Sequence, residues 1–196
     1  MSRSILRLLK YKKILAILVL AILSLAVYFL FFHNITVHPA VEKKQMQALA
    51  LTKQQYPLDT FKSDGCSGNI STGWRKAITE LSNLSPSVAD NYSNMQTIPF
   101  ESACIAHDQV YHEGDGGYVA RLEADNALRA AIINYAIEHT AEIQSRTGIQ
   151  LPEEVIFLYE IIAETVYRGV RLGGAPCTGM PYAWGFGYNQ GNCVPL

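Results

Sequence analysis

From Ile14 to Phe32 the chain runs for 19 residues without a charge, and the only side-chain hydroxyls in that run belong to Ser24 and Tyr28. About 20 such residues let an α-helix cross a bilayer, so the stretch predicts a membrane-spanning helix. Arg3, Arg7, Lys10, Lys12 and Lys13 precede it, and no lysine or arginine follows for ten residues. By the positive-inside rule this places the N-terminus in the cytoplasm and everything after about His33 across the membrane. A cleaved signal peptide is the competing reading. Its apolar core is usually shorter, about 7 to 15 residues, and ends in an A-x-A-like site, which Phe29, Leu30, Phe31 and Phe32 do not resemble. The expectation is an uncleaved anchor over residues 1–33.

The remainder must fold in that second compartment. The 196 residues are 49% hydrophobic and 17% charged, too apolar for a disordered or nucleic-acid-binding chain and long enough for one domain with a tail. All 17 acidic residues lie beyond position 41, set against 11 bases there. Cys66, Cys104, Cys177 and Cys193 also lie beyond the anchor. An even count in an oxidising compartment reads as two disulfides. Buried thiols are the plainer alternative, and a metal site lacks any C-x-x-C pair.

Residues 34–60 read as a linker or first helix, with a largely polar helical pattern from Ala40 to Gln55 that Pro57 ends. The domain proper is expected over 61–196. Asp64, Gly65, Cys66, Ser67, Gly68 and Asn69 form a turn-rich loop, Trp74 to Leu84 a short helix, and Ser87 to Asn94 an exposed loop. Helical character returns from Phe100 to His112 and stops at Gly114, Asp115, Gly116 and Gly117. A second helix from about Tyr118 to Ser145 turns Leu122, Leu128, Ile132, Ile133, Ala136 and Ile137 to one face. A third opens near Pro152, ends at Gly173 and Gly174, and buries Ile156, Tyr159, Ile162, Ala163 and Val166. Strand character is confined to Trp184, Phe186 and Tyr188, alternating with glycines, as in a small hairpin between Cys177 and Cys193. The fold class is therefore mostly α.

Within the first of these helices Cys104, His107, Asp108 and Tyr111 occupy positions i, i+3, i+4 and i+7 and share a face. A lone His-Asp pair is usually just solvated. Here a further carboxylate, Asp125, interrupts the apolar face of the next helix between Leu122 and Leu128, where burial would demand a partner. His107 with His112 is a poor zinc pair, because i, i+5 spacing sends the rings to different faces and no H-E-x-x-H is present.

The run Cys104, Ile105, Ala106, His107, Asp108, Gln109, Val110, Tyr111 resembles the helix signature of the secreted phospholipases A2. The upstream Asp64-Gly65-Cys66-Ser67-Gly68-Asn69 is similar to the calcium loop of that family, and Asp125 matches its second aspartate. The likeness covers roughly Phe61 to Arg129. It departs at Ala103, where the family usually has a cysteine, and at Ser67 and Asn69, where glycines are common.

The resemblance implies calcium-dependent hydrolysis of glycerophospholipid acyl esters at the outer face of a membrane. His107 would be the general base acting on water, Asp125 would hold its second ring nitrogen, and Tyr111 would bond to Asp125. Asp108 would ligate Ca²⁺ together with the carbonyls of Gly65, Ser67 and Asn69, a set of hard oxygen donors. A Cys66–Cys104 bridge, also implied by the resemblance, would hold loop to helix, and a loop N–H such as that of Ser67 would help the ion stabilise the oxyanion. The expected partner is a phospholipid membrane. Trp184, Phe186 and Tyr188 are either a packed, disulfide-closed hairpin or an aromatic lip at the interface. A contrasting reading keeps the fold without catalysis, as a membrane-anchored binding module. Asn34, Asn69, Asn83 and Asn91 begin N-x-S/T sequons; a glycan on Asn69 would crowd the loop, which favours a periplasmic over a eukaryotic lumenal setting.

Overall fold

The computed structural model describes residues 39–63, 65–66, 69–83 and 86–196. The expected anchor, together with Asp64, Ser67 and Gly68 of the loop, lies outside the described residues. Among those described, no helix is long and apolar enough to cross a membrane.

Seven α-helices are present among the described residues: α1 (Pro39–Gln55), α2 (Asn69–Ser82), α3 (Pro86–Asp90), α4 (Glu101–Glu113), α5 (Gly117–Glu138), α6 (Thr140–Thr147) and α7 (Pro152–Gly173). Helix α4 stops where its sequence demands: Gly114 takes a left-handed conformation at φ +59° and returns its N–H to the Val110 carbonyl. Helix α7 opens on Pro152, with Glu153 and Glu154 complementing its N-terminal dipole.

The long helix expected from Tyr118 to Ser145 is two helices. It breaks at His139 (φ −113°, ψ 18°), and the Thr140 hydroxyl donates back to the Ala136 carbonyl at 2.6 Å. Such i−4 bonding competes with the helical ladder and favours a bend. Helix α2 starts five residues earlier than the expected Trp74, so Asn69 is its first residue instead of part of an open loop.

Helices α5 and α7 form the main packed pair, with α4 across α5 and α6 against α7. Leu128, Ile132 and Ala136 of α5 meet Val155, Tyr159, Ala163 and Val166 of α7, with Phe100 at the edge. Burying side chains such as Ile132 and Val155 stabilises the fold by roughly 1.5–3 kcal/mol each. Helix α1 joins the same compact unit, which begins at Val37. Its Leu49 packs with Tyr111 and Trp184, so α1 is packed against the other helices.

The C-terminal hairpin is corrected. Residues 174–196 form successive turns and one short 3₁₀ turn, Asn189–Gly191, with no strand pairing among the described residues. The alternating glycines serve helix α4 instead. A helix ends with carbonyls that lack intrahelical donors. Gly185 N–H donates to the Tyr111 carbonyl at 2.6 Å and Gly187 N–H to that of His112 at 3.1 Å. A Cβ on Gly187 would strike the His112 ring, which explains the glycine in a segment that must lie against the helix end. Cys177–Cys193 closes this segment, and Trp184 is fully buried beneath it.

Candidate functional site

The stripe on α4 faces inward. Cys104, His107 and Tyr111 are buried, and Asp108 is partly so. Helix α5 brings Asp125 opposite them, with no exposed surface. His107 Nε2 lies 2.9 Å from Asp125 Oδ1, and the Tyr111 hydroxyl donates to the same oxygen at 2.6 Å. The His107 and Tyr111 rings lie 4.1 Å apart, and Trp184 meets Tyr111 edge-on at 5.0 Å. The histidine is thus held by packing as well as by its hydrogen bond.

A buried carboxylate with two such donors still carries its charge, and the compensating cations come from residues that the sequence did not single out. Arg171, from the last turn of α7, donates through Nη1 to Asp125 Oδ2 at 2.8 Å. Arg121, one turn before Asp125 on α5, donates through Nε to the Tyr111 hydroxyl at 3.0 Å and through Nη2 to the Val170 and Arg171 carbonyls. Glu42 of α1 accepts from both arginines, Oε1 from Arg121 at 2.6 Å and Oε2 from Arg171 at 3.0 Å. Two carboxylates and two guanidiniums therefore balance beneath His107, which is the condition for burying such charges. One signal was available: Arg121 and Asp125, at i and i+4, both interrupt the apolar face of α5.

The electrostatics follow from these contacts. Burial would raise the Asp125 pKa, but hydrogen bonds from His107, Tyr111 and Arg171 and the charge of Arg121 together hold it below the usual carboxylate value. Asp125 is therefore an acceptor, and Nε2 of His107 carries the proton it receives. Burial would lower the His107 pKa, but the Asp108 and Asp125 carboxylates outweigh it and raise the value above 6.5. Burial and the Asp125 charge push the Tyr111 hydroxyl well above 10, so it remains a donor.

On the other side of the ring, Nδ1 stands 4.0 Å from Asp108 Oδ1. Asp108 Oδ2 accepts from the Ser63 hydroxyl at 2.8 Å, and Gly65 N–H donates to that hydroxyl at 3.0 Å. The Cys66–Cys104 disulfide fastens this loop to α4, and the Ser71 hydroxyl donates to the Cys66 carbonyl. Gly65 has φ +70°, and a Cβ there would meet the Glu101 carboxylate. Of the expected metal ligands, Asp108 and Gly65 are brought together at this loop, and Ser67 lies outside the described residues. Asn69 opens α2, where its carbonyl falls at the start of the helical ladder. No group of three His, Cys, Asp or Glu side chains suited to a metal occurs among the described residues.

His107, Asp108 and Gly65 border a cavity of about 740 Å³. Its walls are mostly apolar, with Ile70 and Trp74 from α2, Phe100, Leu128, Ile143, and Tyr159, Ile162 and Val166 from α7. Lining residues on α7 run from Leu158 to Val170, so at the helical rise the cavity follows that helix for about 18 Å. Besides His107 and Asp108, the polar side chains of Glu142, Arg146 and Thr147 on α6 border the cavity.

No protein-family model, curated protein or solved structure matches this chain.

Proposed function

We propose that this domain hydrolyses glycerophospholipid acyl esters with the help of calcium, in the manner of the secreted phospholipases A2 that its α4 motif resembles. The observation that carries the reading is the two-sided environment of His107. Nε2 is engaged by Asp125 at 2.9 Å, while Nδ1 lies on the Asp108 side and the ring borders a long apolar cavity.

In this reading the acyl chain lies along α7 with its ester near His107. Water is the nucleophile in this reading, and the four cysteines, all in disulfides, supply no thiolate. Nδ1 takes a proton from water as the water oxygen bonds to the acyl carbon. The imidazolium that forms is stabilised by Asp125, whose own charge is balanced by Arg171. As the ester C–O bond breaks, Nδ1 returns its proton to the leaving alkoxide, freeing a fatty acid and a lysophospholipid. Calcium, when bound by Asp108 with the carbonyls of Gly65, Ser67 and Asn69, would stabilise negative charge developing on the ester oxygen. A membrane anchor over residues 1–33 would hold the domain at its substrate, with the N-terminus cytoplasmic and the domain periplasmic or extracellular.

The glycine-poor loop, with Ser67 and Asn69 where glycines are common in the family it resembles, favours a second reading, a membrane-anchored binding module without catalysis. The test is fatty-acid release by the full-length chain from mixed phospholipid vesicles, with calcium or with chelator, beside His107→Gln and Asp108→Asn. Release that needs calcium and is lost in both variants supports the hydrolase. No release from folded, disulfide-bonded protein that still binds vesicles supports the module, and release indifferent to chelator or to His107 overturns both the mechanism and the resemblance.

A further inference from the structure

The split engagement of one arginine carries a further step, which rests on the hydrolase reading for its kinetic part only. A guanidinium facing a carboxylate prefers to engage both oxygens with two parallel N–H bonds. Arg171 does not do this with Asp125. Its Nη1 donates to Asp125 Oδ2 at 2.8 Å, while its Nη2 donates to Glu42 Oε2 at 3.0 Å. Asp125 Oδ1 is consequently left to the Tyr111 hydroxyl and to His107 Nε2.

Glu42 is itself held in place. Its other oxygen accepts from Arg121 Nη1 at 2.6 Å, and its side chain has no exposed surface although α1 is a largely polar helix. Arg121 is pinned in turn by the Val170 and Arg171 carbonyls and by the Tyr111 hydroxyl.

We infer that Glu42 and Arg171 are positioning residues for the His107–Asp125 pair: by taking one arm of the Arg171 fork, Glu42 restricts that arginine to a single oxygen of Asp125 and reserves the other for His107. Removing the Glu42 charge leaves Arg171 Nη2 buried without an anionic partner. The carboxylate that Arg171 already engages, Asp125, then offers it Oδ1 as a second acceptor, in competition with His107. Helix α1, directly following the expected anchor, thereby becomes part of the site without touching substrate.

The test compares wild type, Glu42→Gln and the double variant Glu42→Gln with Arg171→Met. The first readout needs no activity: the His107 Nε2–H proton resonance, observed at a pH where the ring is neutral. Wild type should show it at low field and protected from solvent exchange, as a proton donated to a buried carboxylate. Glu42→Gln should lose that signature and lower kcat about 10- to 100-fold with KM unchanged, because the cavity is untouched. The double variant, freed of the competing fork, should recover the resonance and much of the rate. Recovered stability in the double variant does not decide between the roles, because removing both members of a buried ion pair relieves the unpaired charge that the single variant leaves; the resonance and the loss of kcat at unchanged KM in Glu42→Gln carry the test.

Retention of the resonance and of kcat in Glu42→Gln, with only a lower melting temperature, overturns the inference, as does absence of the resonance from wild type. Should Glu42→Gln fail to fold, Glu42→Asp keeps the charge but shortens its reach by one methylene, and is expected to shift resonance and rate in the same direction. If wild type shows the resonance but releases no fatty acid, the hydrolase reading fails while the positioning inference is decided by the resonance alone.

Discussion

Gly174 lies so close to the Tyr111 ring that a Cβ at position 174 would stand 2.6 Å from Tyr111 Cε1 and 3.2 Å from its hydroxyl oxygen. That ring packs at a tilt against His107 and is hydrogen-bonded to Asp125, so the end of α7 sets how deeply Tyr111 can sit behind the candidate base. The Val170 carbonyl would lie 2.7 Å from the same Cβ, and backbone cannot move aside as a side-chain tip can. Gly174→Ala is therefore expected to destabilise the domain by about 1–3 kcal/mol, the usual cost of overpacking. It should also slow hydrolysis by displacing Tyr111. Thermal unfolding at wild-type temperature would show the packing argument to be wrong.

The pH response follows from opposing shifts in one pair. Burial pulls the His107 pKa down, but Asp108 and Asp125 prevail and raise it above its ordinary 6.5. A raised folded-state value means that the protonated ring stabilises the fold fully below about pH 6.5, and that this contribution is lost as pH rises through the folded value. In the proposed hydrolysis the base is the neutral ring, so the rate should climb through an inflection above 6.5 while this part of the stability declines. Asp125 behaves in the reverse sense: its lowered value contributes stability above about pH 3.8 that is lost as pH falls through the folded pKa. Rate measurements from pH 5 to 9 alongside denaturant midpoints test this, and a flat rate profile would remove His107 from the role of base.

The two disulfides should differ in consequence. Cys66–Cys104 spans 38 residues and Cys177–Cys193 spans 16. In the chain-entropy model their loss costs about 4 and about 3 kcal/mol respectively. Only the first ties the loop to α4 beside Asp108. If the loop binds calcium as proposed, replacing Cys66 and Cys104 with serine should weaken that binding, measured by titration calorimetry, and replacing Cys177 and Cys193 should affect stability alone. Equal calcium affinity in both double variants would separate the loop from the site.

Lys53 offers a contrast between a charge pair and a helix cap. Its Nζ lies 2.5 Å from Asp115 Oδ1, but that carboxylate side chain is 76% exposed, where ion pairs contribute little. The same ammonium donates to the Glu113 and Gly114 carbonyls at 2.7 and 2.9 Å, completing the end of α4. Asp115→Asn should leave the melting temperature nearly unchanged, whereas Lys53→Met should cost about 1–2 kcal/mol. Equal losses from the two substitutions would show the ion pair, and not the cap, to be the stabilising contact.

Helix α4 was legible because its signals are local: a stripe at i, i+3, i+4 and i+7, and a glycine cluster that no helix continues through. Asp125 was legible as a carboxylate out of place on an apolar face. Glu42 was not, since nothing around it distinguishes it from other charges on a polar helix. Its partners stand 79 and 129 residues away in the chain. The Trp184-Gly-Phe-Gly-Tyr188 alternation misled for a related reason: period-two patterning reads as a strand, yet the N–H groups of Gly185 and Gly187 bond to α4 and not to a neighbouring strand. The break at His139 was hidden because apolar spacing on either side of it remains helical.

By itself, the sequence determined the helical class, the two terminal signals of α7, the limit of α4 and the shared face of Cys104, His107, Asp108 and Tyr111, because each depends on residues within a turn or two of one another. Tertiary structure alone decided that Asp125 is shared between His107, Tyr111 and Arg171, that Glu42 holds two arginines apart, and that α2, α5, α6 and α7 enclose an apolar cavity beside the histidine. Burial and charge balance are properties of everything that packs around a group. They are settled by elements distant in the chain, which no local pattern records.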